Sequence, residues 1–193
     1  MEDASPARRH AAVVLAIGAA PPHPVVFIAR ADHLRHHPGQ IALPGGAADL
    51  ADGSLERTAL RELEEEVGIP AERVRLVGAL PAFSQRRGGR FHISPFVGIV
   101  AAGTRLVIDP AETAAVFEVP LAEIIAPGAV HPGIEVFEER RIETWHFDYG
   151  VMHVWGATGY ILWTFVGAYN DTVSPLRLAL DTAGITADFE KND

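Results

Sequence analysis

Cysteine is absent from this 193-residue chain. That excludes disulfides, thiolate catalysis and cysteine metal sites, and it suits a cytoplasmic setting. Positive charge is scarce: 16 Lys and Arg stand against 25 Asp and Glu, for a formal net charge of −9. Generic attraction to nucleic acid is therefore not expected. An acidic protein can still act on phosphates when a divalent cation lies between its carboxylates and the substrate. Long apolar runs are also missing. Val154 to Tyr169 carries no formal charge, but it is shorter than a bilayer-spanning helix and contains Gly156, Gly159 and Gly167. It reads as a buried core helix, and no membrane partner is expected. Met1 to His10 is polar and partly basic, without the apolar region of a signal peptide. The final Glu190-Lys191-Asn192-Asp193 is not a peroxisomal address.

No internal repeat or low-complexity linker divides the chain. With 48% apolar and 21% charged residues, the composition is that of an ordinary globular protein large enough for one core. The expected layout is a short tail over 1–9, a single domain over 10–170 and a C-terminal extension over 171–193. Val13–Ile17 and Val25–Ala29 read as buried strands joined by a turn rich in proline. Strand-like runs recur at Val74–Leu80, Arg90–Val100 and Glu135–Tyr149, the last as a bent hairpin. Leu121–Ile125 is a short helix candidate, and a helix over Trp155–Ala168 closes the core. Strands mixed with two substantial helices predict an α/β or α+β sandwich.

The most informative helix is predicted over Leu55–Val67. Asp52 and Ser54 are candidate N-caps, Glu56 suits the positive helix start, and Gly68 followed by Pro70 is a stop signal. At about 100° per residue, Glu62, Glu65 and Glu66 share one face, while Leu60, Leu63 and Val67 form an apolar stripe elsewhere. Like charges at this spacing destabilise a helix slightly. A Glu-rich stretch alone is more often a solvated helix face, so the neighbouring residues decide. Several carboxylates converging in a cleft call for a cation, and hard oxygen ligands with room for phosphates suit Mg²⁺. Upstream, Gly45 and Gly46 lie in a Pro-Gly-Gly turn, where missing side chains allow close backbone approach.

From Gly46 the sequence runs five residues to Asp52, eight more, and then Arg61-Glu62-Leu63-Glu64-Glu65-Glu66-Val67-Gly68-Ile69. This resembles the Nudix box: Gly, five residues, Glu, seven residues, then Arg-Glu-apolar-any-Glu-Glu-any-Gly-apolar. Nine consecutive positions fit its second half. The isolated Glu is Asp52 here, with one extra residue before Arg61. The resemblance implies the Nudix α/β/α sandwich with a mixed sheet, and a hydrolase using Mg²⁺ or Mn²⁺. It implies Glu62 and Glu66 as principal metal ligands, Glu65 as a further ligand or holder of the attacking water, and the Gly46 carbonyl completing the shell. Arg61 would orient Glu62 by a charge-assisted hydrogen bond.

Residues 26–46 are similar to the signature of the coenzyme A diphosphatase branch of that family. Arg30, Leu34, Arg35, His36 or His37, Gly39 and Gln40 carry the match into the Pro-Gly-Gly turn. Glu112 to Leu121 and Val154 to Leu162 resemble later segments of the same branch. The likeness covers about residues 8 to 169, and an upstream extension found in relatives is expected to be missing. It implies a small nucleotide of the coenzyme A class as substrate, cleaved to 3′,5′-ADP and 4′-phosphopantetheine. Arg30 and Arg35 are the candidate phosphate binders, because a guanidinium fork matches phosphate oxygens. Gln40 and Gly45 are further substrate-binding candidates. Glu112, beyond the box, is either an extra catalytic carboxylate or a surface residue beside Pro110.

Two readings compete: a Nudix enzyme acting on ADP-ribose or another nucleoside diphosphate derivative, and a Nudix-fold binding module without catalysis. Arg86, Arg87 and Arg90 read as a solvated hairpin tip sooner than a second phosphate cluster. His33, His36 and His37 lack a recognised ligand spacing, so no zinc site is expected there. Trp145, Phe147 and Tyr149 alternate at period two and read as one buried sheet face. The oligomeric state is open, with a homodimer among the options.

Overall fold

Strand β1 (Arg9–Gly18) is the axis of the molecule, and its alternation explains the layers. Ala11, Leu15 and Ile17 enter one apolar cluster, while Ala12, Val14 and Ala16 enter another on the opposite face. Only a strand covered on both sides reads as a continuous apolar run. The structure is a computed structural model describing residues 9–33, 37–84, 91–137 and 139–186.

After β1 come β2 (Pro24–Arg30), β3 (Ile41–Ala42), β4 (Gly45–Ala47) and helix α1 (Leu55–Val67). Strands β5 (Val74–Ala79), β6 (Phe83–Ser84), β7 (Phe91–Val100) and β8 (Thr113–Pro120) follow, then the short helix α2 (Leu121–Ile125). The hairpin β9 (Val130–Phe137) and β10 (Arg140–Tyr149) is joined by β11 (Met152–Val154), and α3 (Gly156–Asn170) and α4 (Pro175–Thr182) end the described chain.

The main sheet runs β3-β2-β1-β7-β5, with β4 on β1, β6 on β7 and β8 on β2. It is mixed: β1 and β7 are parallel over their whole lengths, and its other pairings are antiparallel. Helix α1 covers one face through Ala59, Leu63 and Val67. Helices α2, α3 and α4 belong to the cluster on the other face, which also takes Phe147 and Val154 from the second sheet, β11-β10-β9. The expected α/β sandwich with a mixed sheet is therefore present.

Two elements add to what the sequence predicts. Residues 113–120 form β8, pairing with β2 from Pro24↔Pro120 to Arg30↔Thr113, a strand absent from the strand-like runs of the sequence. Within 171–186, α4 sends Leu176 and Leu180, and the following turn Ile185, into the main core. Its start has a local cause: the Ser174 hydroxyl accepts the Arg177 N–H at 3.0 Å, with Pro175 in the first turn. Among the described residues no helix is long and apolar enough to cross a membrane.

Candidate active site

Helix α1 is bounded by the local signals its sequence carries. The Ser54 hydroxyl accepts the Arg57 N–H at 3.3 Å, and Gly68, at φ 68°, closes the helix with its N–H on the Glu64 carbonyl. The buried stripe is Ala59, Leu63 and Val67; Leu60, expected on it, is only half-buried. Docking that stripe turns Glu62 and Glu66, one helical turn apart, toward β4. Glu66 is 1% exposed.

The backbone there is shaped around the two carboxylates. The Gly45 N–H donates to Glu66 Oε2 at 2.9 Å. A side chain on Gly46 would press on the Glu62 carboxylate, and one on Gly45 would press on the Ala12 carbonyl and Val13. Glycine is needed at both positions because nothing larger leaves room for strand and carboxylate together.

A third carboxylate arrives from a different element. Glu112 stands immediately before β8, and ligand oxygens of Glu62, Glu66 and Glu112 lie within 4.8 Å of one another. Its loop is fastened to the helix, since the Val107 N–H donates to the Val67 carbonyl at 2.8 Å. On the other side, the Ala31 N–H donates to the Glu112 carbonyl at 2.9 Å, and His33 Nε2 lies 3.0 Å from the Ala111 carbonyl. Arg30, at the end of β2, brings Nη1 to 3.9 Å from Glu66 Oε1.

Like charges this close repel, and burial adds to the cost. Burial first, then the neighbouring Glu62 and Glu112, push the Glu66 carboxyl up to about 8, against the opposing pull of the Gly45 N–H and Arg30. Burial likewise raises Glu62, although Arg61 pulls it down. A divalent cation among these oxygens would reverse both effects, and an all-carboxylate donor set suits Mg²⁺ or Mn²⁺. The residues present fit such an ion.

Arg61 organises the other side of the helix. Its Nε and Nη2 grip Asp52 Oδ1 and Oδ2 at 2.8 and 3.1 Å, and Nη1 lies 2.9 Å from Glu62 Oε1 and 2.7 Å from Glu65 Oε2. Asp52 also accepts the Thr58 hydroxyl at 2.8 Å and the Asp49 N–H at 3.0 Å. Arg61 foremost, with Asp49 and Thr58, holds the Asp52 carboxyl well below the usual carboxylate range, and Asp52 in turn raises Arg61. Asp52, the box position that departs from the family pattern, is thus the anchor of Arg61 and lies outside the carboxylate trio.

The expected site residues divide accordingly. Glu62, Glu66 and Glu112 come together, with Gly45, Gly46 and Arg30 against them. Glu65 is half-exposed and tied to Arg61; it is not among the three converging carboxylates. Gln40 is half-buried, and its carbonyl accepts the Arg30 N–H at 3.0 Å. Arg35 lies outside the described residues, as do Leu34, His36, Arg86, Arg87 and Arg90. Of the aromatic trio, Phe147 is buried against Phe27 and Trp145 stacks on Trp163, but Tyr149 is exposed. Beside α1 a cleft of about 390 Å³ opens, lined by Arg9, Ala48, Asp49, Arg61, Glu62 and Glu65 among others. That is within the range of small-molecule sites.

A sequence profile of the NUDIX domain matches residues 7–149, which includes the whole carboxylate site. The chain belongs to the Nudix family and is a hydrolase. It is 39% identical over 156 residues to an uncharacterized Nudix hydrolase, NudL, of Salmonella paratyphi B, covering 80% of each chain. Among solved structures it is similar to the Nudix hydrolase RenU of M. smegmatis, at 25% identity and TM-score 0.50, covering 60% of this chain and 73% of that one. A MutT/nudix family protein of Enterococcus faecalis shares the fold at TM-score 0.56 and 15% identity, covering 95% of this chain and 70% of its own. Nudix hydrolases generally use divalent ions such as Mg²⁺ or Mn²⁺.

Proposed function

We propose that this Nudix hydrolase cleaves the diphosphate linkage of coenzyme A or a close derivative, with Mg²⁺ or Mn²⁺, giving 3′,5′-ADP and 4′-phosphopantetheine or its acyl form. The observation that carries this reading is the position of Arg30. It belongs to the segment that resembles coenzyme A diphosphatases, and its guanidinium stands at the edge of the carboxylate trio. From there it can hold a diphosphate against the metal site, with Arg35 and Gln40 of the same segment serving the rest of the substrate.

Glu62, Glu66 and Glu112 would hold the cation, with the Gly46 carbonyl as a further ligand. Bound there, the ion supplies charge neutralisation on the diphosphate and lowers the pKa of the attacking water. Water forms a new bond to phosphorus, the bridging phosphorus–oxygen bond breaks, and the leaving phosphate carries away the bonding pair. Glu65, exposed and outside the trio, is suited to orient that water and accept its proton. Arg61 fixes Glu62 and Glu65 from behind, and the Gly45 N–H fixes Glu66.

Turnover of coenzyme A against ADP-ribose at equal Mg²⁺ tests the substrate. The expected result is a clear preference in kcat/KM for coenzyme A; preference for ADP-ribose retires the narrower reading and keeps the hydrolase. Products formed in ¹⁸O-labelled water identify the phosphorus attacked by mass.

A further inference from the structure

A second cluster of ligating groups lies away from the carboxylate helix, on the three-stranded sheet. Glu135 of β9, His146 of β10 and His153 of β11 each offer a ligand atom, and these atoms lie within 4.8 Å of one another. His146 is 5% exposed, and its Nε2 has no hydrogen-bond partner among the described residues. Buried polar nitrogens are almost always paired, so one on a residue that belongs to such a cluster needs a reason. Room has been made for it: a side chain on Gly133, in the facing strand, would press on the His146 ring.

The other two residues are arranged around the same point. Glu135 Oε2 lies 3.1 Å from His153 Nε2, and Asp148 Oδ1 lies 2.6 Å from His153 Nδ1. Asp148 and His153 are direct cross-strand partners of β10 and β11. A carboxylate that takes the Nδ1 proton leaves Nε2 with its lone pair, which is how metal-binding histidines are oriented.

We propose that His146, His153 and Glu135 form a second metal site, of the imidazole–carboxylate type that takes a borderline ion such as Zn²⁺. Two ring nitrogens and one carboxylate suit zinc, whereas the all-oxygen trio on α1 suits magnesium. Three protein ligands leave the fourth tetrahedral position open to water or another ligand. Each ligand comes from a different strand, so the ion ties β9, β10 and β11 together. His153 and Glu135 are partly exposed, which gives an ion access from solvent. None of this depends on the substrate proposed above.

The test is Zn²⁺ binding to chelator-treated full-length protein by equilibrium dialysis, in excess Mg²⁺ to occupy the carboxylate trio. The expected result is one Zn²⁺ per chain, lost in His153→Ala and in Glu135→Gln. Both side chains are surface-accessible, so these variants should fold, which circular dichroism checks. Asp148→Asn keeps the ligands and is expected to weaken binding by about tenfold or more. Co²⁺ in place of Zn²⁺ should give visible bands of a nitrogen-containing tetrahedral site, absent in His153→Ala. The proposal is overturned if wild-type protein binds no Zn²⁺ under these conditions, or if His153→Ala binds it as tightly as wild type. In that case His153 is an imidazolium shared by two carboxylates. Failure here leaves the hydrolase reading untouched, since no turnover is measured.

Discussion

Helices α1 and α3 belong to the apolar clusters on opposite faces of the main sheet, yet they are held in opposite ways. The buried residues of α3 are nearly all apolar, led by Ile161, Leu162 and Phe165. Gly159 lets its backbone lie directly on the Trp145 carbonyl, where any side chain would collide. Helix α1 buries a narrower apolar stripe and, beside it, Glu66. Its position is reinforced by polar hooks: Asp52 on Arg61 and the Gly45 N–H on Glu66. Where apolar contact alone decides, position follows from shape. Where a carboxylate must be held in a low-dielectric site, it needs named donors, and any change to it trades stability against chemistry.

The largest expected effect is therefore on α1. Glu66→Gln removes charge from the metal site and should lower kcat by about 10³-fold or more, on the scale of losing a principal electrostatic group. Steady-state turnover with Mg²⁺ checks it, and survival of wild-type turnover would break the catalytic reading. The same variant carries a stability test. In metal-free protein Glu66 is raised from 4.5 to about 8, so the native state holds this proton more tightly than the unfolded chain. The group costs nothing below about pH 4.5, and stability falls as pH rises toward about 8. Glu66→Gln should flatten that fall, measured as Tm against pH in chelator-treated protein. An equal slope in the variant would mean that burial of Glu66 is not its source.

A substitution on α3 should do the reverse. Leu162 is fully buried, and Leu162→Ala should cost about 3 kcal/mol of stability, combining lost transfer energy with a cavity. Denaturant unfolding measures the loss. Turnover per folded molecule and Mg²⁺ dependence should stay close to wild type at low temperature. A drop in kcat of folded Leu162→Ala would show that the two faces are coupled through the sheet, and the comparison would fail.

The contrast also explains what was legible in the sequence. The bounds of α1 were, because Ser54, Gly68 and the spacing of Leu63 and Val67 act within a few residues. The alternating halves of β1 were hidden inside one apolar run, since both faces are covered. Strand β8 went unread because it exists by pairing with β2, some ninety residues earlier in the chain. Within the site, helical geometry put Glu62, Glu65 and Glu66 on one face but could not say which neighbour would claim each. Arg61 takes Glu65, and the place of a third converging carboxylate goes to Glu112, carried in by a loop fastened to the end of α1. Asp52 carried a signal in its spacing from Arg61, though not the role it plays. The cluster at Glu135, His146 and His153 was invisible, because only the register of three strands assembles it.

Arg61 offers the smallest of these effects and the sharpest view of α1. It is the shared partner of Asp52, Glu62 and Glu65: Nε and Nη2 hold Asp52, while Nη1 serves both glutamates. Lysine at this position keeps the charge but has a single point of attachment, so it cannot hold Asp52 by two atoms while reaching both glutamates. Arg61→Lys should fold, since Glu66 and the apolar stripe are untouched, and should lower kcat about tenfold with little change in KM. The loss falls on kcat because Arg61 acts through the carboxylates it positions and is placed on no part of the substrate. If instead KM rises and kcat holds, Arg61 is contacting substrate directly. The polar hook would then be part of the binding surface, and α1 would resemble α3 in taking its position from apolar packing alone.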